Sequence, residues 1–184
     1  MEGVIRTRVG YAGGKSTNPT YLNLENHTET VQIEYDPALV SFDKLLEEFW
    51  NAHNPYSRAR SRQYASILFY HDDTQKQKIE DFISSKENTS SKTVYTEVLP
   101  FEVFYPAEDY HQKYYLRQEP VIFRDFISIY PTIEDFTSST AAARVNGFIG
   151  GYGSLENLEK QIDLFGLSTE AKTKLLQLAH RLQE

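Results

Sequence analysis

The residues best placed for chemistry lie in His27-Thr28-Glu29-Thr30-Val31-Gln32-Ile33-Glu34-Tyr35, whose alternation predicts a strand. Side chains of a strand point to opposite faces in turn. One face carries Thr28, Thr30, Gln32 and Glu34, and the other carries His27, Glu29, Val31, Ile33 and Tyr35. Glu29 therefore shares a face with apolar residues. Burial disfavours a charged carboxylate, so a carboxyl buried there would stay protonated and able to donate, as a general acid must. The competing reading places Glu29 at the strand end, where the apolar face meets water and it pairs with a base.

Other candidate motifs are weaker. Gly10-Tyr11-Ala12-Gly13-Gly14 runs into Lys15-Ser16, but a phosphate-binding loop needs an earlier glycine where Val9 stands. Asn18-Pro19 interrupts any following helix, so the glycines are read as a tight backbone shape. The five histidines, at 27, 53, 71, 111 and 180, form no H-E-x-x-H or comparable ligand pair. His111, amid Glu108, Asp109 and Tyr110, could bridge a polar network. No serine has the G-x-S-x-G context of a nucleophile elbow. The chain has no cysteine, which excludes disulfides, thiolate–zinc sites and thiol redox chemistry within it.

Several elements must position these residues. Val4 to Val9 reads as a strand, and Asn18-Pro19-Thr20 as a turn. Ser41 to His53 is a helix on the spacing of Phe42, Leu45, Leu46, Phe49 and Trp50, with Ser41 as its N-cap. Tyr64 to Tyr70 and Val94 to Leu99 read as strands. Asp73 to Lys86 reads as a surface helix with an Ile79, Phe82, Ile83 stripe, and Ser84 to Ser91 as polar and mobile. Glu108 to Arg117 reads as a helix. From Pro120 three or four helical patterns follow, with Ser154 and Ser168 at N-cap positions, each with Glu two residues on. The pattern predicts an α+β core packed by a helical tail.

Net charge is −7 over 184 residues, which argues against binding phosphate backbones. Arg58, Arg60 and Arg62 alternate and could share one face of an extended segment, but three arginines do not reverse that balance. No apolar run reaches the roughly 20 residues that span a bilayer. The opening residues lack the pattern of a secretory signal. A cytoplasmic protein that binds neither nucleic acid nor membrane is expected. Thirteen Tyr and eleven Phe suit a core or pocket that also needs hydroxyls.

Taken together, six strings resemble the peptide-methionine (S)-S-oxide reductases, the A-type methionine sulfoxide reductases. They are Val9-Gly10-Tyr11-Ala12-Gly13-Gly14, Asn18-Pro19-Thr20-Tyr21, His27-Thr28-Glu29-Thr30-Val31, Phe49-Trp50 to His53-Asn54-Pro55, Arg62-Gln63-Tyr64, and Ala107-Glu108-Asp109-Tyr110-His111-Gln112. The tail string Asn146-Gly147-Phe148 is similar as well. The resemblance implies thiol-dependent reduction of methionine S-sulfoxide, free or in proteins. It implies no cofactor, with thioredoxin as external reductant. A cysteine in Gly-Cys-Phe-Trp attacks the sulfoxide sulfur, methionine leaves and a sulfenic acid forms. By resemblance Glu29 is the general acid, and Tyr21 and Tyr64 hold the sulfoxide oxygen with it. The implied fold is a ferredoxin-like two-layer α+β core over residues 1–118, followed by a helical extension over 119–184.

Three departures accompany the resemblance. The Gly-Cys-Phe-Trp segment, with its strand and helix, is expected before the first residue of this sequence. Arg58-Ala59-Arg60-Ser61 stands where the family pattern has an aspartate, and Ile149 stands where a tail cysteine is expected. Lacking the strand–helix unit should expose the face that Val31 and Ile33 share. At about 25 cal/mol per Å², that costs several kcal/mol and predicts a thermal transition below about 50 °C. The chain itself is expected to be inactive. The alternatives are a non-catalytic methionine-sulfoxide-binding pseudoenzyme and a truncated isoform.

Overall fold

The structure, a computed structural model, describes residues 1–182. It is α+β, and the chain divides into two compact units. One comprises residues 9–31 and 36–107; the other comprises residues 1–8, 32–35 and the chain from 108 onward.

The first unit holds most strand residues and the first two helices. Strand β1 (Val4–Ala12) runs three residues beyond its expected end and pairs antiparallel with β5 (Phe104–Pro106), with Gly10 opposite Pro106 and Ala12 opposite Phe104. Strand β2 (Thr28–Tyr35) completes a sheet of order β2-β1-β5. Strands β3 (Ile67–Tyr70) and β4 (Glu97–Pro100) pair in parallel, joined through helix α2 (Asp73–Ser90). Helix α1 (Phe42–Asn51) starts as expected, with the Ser41 hydroxyl accepting from the Lys44 amide. Tyr11, Leu24 and Ala107 form one buried cluster, and Leu46 and Ile79 are the innermost residues of α1 and α2.

Four expectations are corrected. Residues 84–90 continue α2, because Thr89 and Ser90 hydroxyls donate to the Ser85 and Lys86 carbonyls and Ser91 (φ 54°) closes the helix in the left-handed region. Tyr64 is not in a strand; it ends a 3-10 turn, Arg62–Tyr64. The expected helix 108–117 is broken into a 3-10 turn, Asp109–His111, and α3 (Tyr114–Arg117), with Lys113 at φ 53° between them. Finally, the covered residue of β2's start is Thr28, not Glu29: Thr28 is buried whereas Glu29, Val31 and Ile33 are exposed. Alternation defines two faces, but what the rest of the chain lays against them decides which one is dry.

The second unit is mainly helical. Helices α4 (Pro120–Ile129), α5 (Ile133–Ser138), α6 (Thr140–Ile149), α7 (Leu155–Glu159) and α8 (Thr169–Arg181) enclose Leu116, Ile122, Phe126, Phe136, Val145, Leu158 and Leu175. Ser154 and Ser168 cap α7 and α8 through the Asn157 and Ala171 amides. Pro120 opens α4 at the position where its missing N–H costs nothing.

Candidate functional site

Tyr21, Glu29 and Tyr64 all lie within the unit of residues 9–31 and 36–107. Each is placed by a different local device.

Tyr21 sits at the tip of a miniature hairpin. Thr20 and Asn23 exchange backbone hydrogen bonds of 3.2 and 2.9 Å, leaving Tyr21 and Leu22 at the turn. The turn is approached through Asn18, in the left-handed region that Asn tolerates (φ 54°). The loop's neck is closed by His27, which is almost wholly buried. Its Nδ1 accepts from the Gly14 amide at 3.2 Å, and its Nε2 lies 2.9 Å from the Ser16 carbonyl. A carbonyl only accepts, so Nε2 carries the proton and the ring is the neutral Nε2–H tautomer. Gly14 must be glycine, because a Cβ there would meet His27 Cδ2 at 2.4 Å. Gly13 (φ 79°) needs the left-handed region, and a Cβ there would touch Phe69. The glycine string is a backbone shape, as expected.

Glu29 is the second residue of β2. Its Oε1 accepts from Gln63 Nε2 at 2.6 Å. The burial on which the general-acid reading rested is not there: Glu29 is exposed. Its charge nevertheless acts on Tyr64. Tyr64 is hydrogen-bonded to Tyr21, and that contact is the main reason its phenol is held above the usual tyrosine range; the Glu29 charge adds in the same direction. Tyr64 is 59% exposed and Tyr21 38%, so the pair faces solvent.

The 3-10 turn Arg62–Tyr64 organises the cluster. With three residues per turn, its side chains fan out roughly a third of a revolution apart. Arg62 reaches both oxygens of Glu97, at 2.6 and 2.8 Å, Gln63 reaches Glu29, and Tyr64 reaches Tyr21. The buried Thr28 hydroxyl donates to the Arg62 carbonyl at 2.8 Å, fixing the turn beside the start of β2. Arg58 lies over the Tyr95 ring at 4.9 Å. His27, Thr28, Arg62 and Gln63 carry positioning work that pattern reading passed over. A three-residue period shorter than a helix and longer than a strand gives no visible signal.

What the cluster offers is two phenols and one carboxyl group, all open to solvent. Phenol and carboxylic O–H groups can donate to a strongly polar acceptor such as the oxygen of an S=O group.

The profile of the family described as "Peptide methionine sulfoxide reductase" matches residues 1–144, three-quarters of the chain. The chain belongs to the peptide methionine sulfoxide reductase family. A second family, "Selenoprotein methionine sulfoxide reductase A, helical domain", matches residues 133–172. A peptide methionine sulfoxide reductase of Drosophila melanogaster is 39% identical over 168 residues, covering 90% of this chain and 67% of the relative. Peptide methionine sulfoxide reductase A5 of Oryza sativa subsp. japonica is 37% identical over 155 residues, covering 80% of this chain and 60% of the relative. The chain thus spans about two thirds or less of the length of these relatives. Methionine sulfoxide reductase A of Corynebacterium diphtheriae superposes with a TM-score of 0.54 and 32% identity, covering 65% of this chain and 66% of that one. Mxr1 from Saccharomyces cerevisiae in reduced form gives 0.59 and 25%, covering 65% and 74%.

This reductase-family chain has no cysteine. Among the described residues no three of His, Asp and Glu gather as a metal-binding group, and no helix is long and apolar enough to cross a membrane. His111, singled out by its acidic surroundings, belongs to the other unit, where its Nε2 lies 3.9 Å from Glu108 and its ring 4.2 Å from that of Tyr110. It is not brought to Tyr21, Glu29 and Tyr64 within one unit.

Proposed function

We propose that this chain is the sulfoxide-recognising part of a methionine S-sulfoxide reductase, with Tyr21, Tyr64 and Glu29 taking the sulfoxide oxygen and Glu29 acting as general acid. The observation that carries this reading is the hydrogen bond between Tyr21 and Tyr64, near enough to Glu29 for its charge to act on the Tyr64 phenol. The reaction transfers the sulfoxide oxygen to a thiol sulfur: methionine is released and a sulfenic acid forms, which a second thiol and then thioredoxin reduce. Protonation of the departing oxygen is the step Glu29 serves.

The attacking thiolate must come from residues other than these 184, because the sequence contains no cysteine. The chain alone binds oxidised methionine, free or in a protein, and does not turn it over. The same absence favours a second reading, a pseudoenzyme or short isoform that recognises sulfoxide without reducing it. An in-frame Gly-Cys-Phe-Trp upstream in the coding sequence selects the first; a stop codon immediately before Met1 selects the second. We assign the chain a ferredoxin-like two-layer core over residues 1–118 and a helical extension from 119; the five strands, all before residue 107, and the helices α4 to α8 after 119 support an α+β core with a helical tail.

Titrating the chain with a methionine S-sulfoxide peptide tests the proposal. Saturable binding at millimolar concentration or tighter is expected, weakened at least severalfold in Tyr64→Phe. No detectable binding at that concentration, or thioredoxin-dependent loss of sulfoxide by this chain alone, overturns it.

A further inference from the structure

The Arg62–Tyr64 turn suggests a role for a residue outside the three-residue cluster. Glu29 is exposed and lies at the start of β2, so a free carboxylate there would sample several rotamers and spend much of its time in water. Instead Oε1 is held at 2.6 Å by Gln63 Nε2. Gln63 can do this because the residue before it is anchored twice: Thr28 holds the Arg62 carbonyl, and the Arg62 side chain is clamped on Glu97. Gln63 is itself half-buried, so its amide is directed by the turn and not by solvent.

We propose that Gln63 is a positioning residue that fixes the Glu29 carboxyl group and distinguishes its two oxygens. An amide N–H occupies Oε1 and serves only as a donor there, so the proton a carboxylic acid carries is directed to Oε2. Oε2 is then the oxygen left to meet a ligand, on a carboxyl group whose charge acts on Tyr64. A carboxyl group fixed in this way should distinguish the two epimers of a sulfoxide, because only one directs its oxygen to Oε2 and the phenols. The epimer preference rests on the proposed sulfoxide recognition; the fixing of Glu29 does not.

The experiment has two arms, each run on the full chain. The first measures the Glu29 side-chain couplings by NMR in the wild type, Gln63→Leu and Gln63→Glu, with circular dichroism confirming that each variant folds. A single rotamer in the wild type, averaged in Gln63→Leu, supports the proposal. Averaged couplings in the wild type, or unchanged ones in Gln63→Leu, overturn it. Gln63→Glu places two carboxyl groups where an amide met one; it should hold Glu29 only when one of the pair is protonated, so that its couplings depend on pH while those of Gln63→Leu do not.

The second arm titrates peptides carrying either epimer of methionine sulfoxide. The wild type should prefer one epimer, and Gln63→Leu should lose at least fivefold of that preference, the ratio equivalent to one hydrogen bond of about 1 kcal/mol. Equal loss for both epimers with the ratio intact overturns the role in selection. A fixed Glu29 with no binding of either epimer refutes the proposed sulfoxide recognition while the positioning of Glu29 stands.

Discussion

The Tyr21–Tyr64 contact is the most informative pairwise interaction in the molecule because it can be titrated. A phenol hydrogen-bonded to another phenol and close to a carboxylate resists losing its proton, since the phenolate would lose that bond and gain a like-charged neighbour. Tyr21→Phe removes the leading cause of the upward displacement of Tyr64. The Tyr64 phenol should then ionise at lower pH, nearer the ordinary tyrosine value of about 10, as followed by the ring-carbon shift in NMR. An unchanged midpoint would show that the two phenols do not meet in solution. At this scale the sequence was a poor guide to environment. The alternation through residues 27–35 placed Glu29 in a dry setting, and the structure exposes it. A period of two gives each residue a face, and it does not say which face is covered.

Elements were legible where their periodicity ran long. The stripe of Phe42, Leu45, Leu46 and Phe49 with its serine cap gave α1, and Ser154 and Ser168 gave the starts of α7 and α8. The polar stretch 84–90 was hidden because serine and threonine disfavour helix interiors in general, whereas here their hydroxyls bond back to the preceding turn. The break at Lys113 was hidden because a lysine in the left-handed region gives no compositional cue. The glycine turn was read correctly as shape, and the structure gives its reason. Gly14→Ala drives a methyl group into the His27 ring and should cost about 1–3 kcal/mol in urea denaturation, with the Tyr64 phenol returning toward its ordinary ionisation as the loop loosens. A variant as stable as the wild type would mean that His27 does not hold the loop's neck.

For the whole chain, the clearest lever on stability is Lys113. Its ammonium group is buried, donates to the Thr7 carbonyl and hydroxyl, and is pushed down to about 8 by burial and by the charge of Arg8. The folded value lies below the unfolded value of 10.5, so the unfolded chain binds more protons between those two limits. Stability from this group therefore rises as pH climbs from about 8 to 10.5, by up to about 3 kcal/mol, and is flat below 8. Lys113→Met should be free of that slope: the difference in unfolding free energy between the two proteins should move in favour of the wild type across this window. A constant difference would refute the buried charge. The loop whose neck His27 closes also bears on the molecule as a whole. Gly14 and His27 are 13 residues apart, and their hydrogen bond turns the segment between them into a short tether with Tyr21 near its middle. Bringing Tyr21 to Tyr64, 43 positions along the chain, is then no longer a search by a free loop. It becomes an encounter at a high effective concentration, set by a clasp that contains neither phenol.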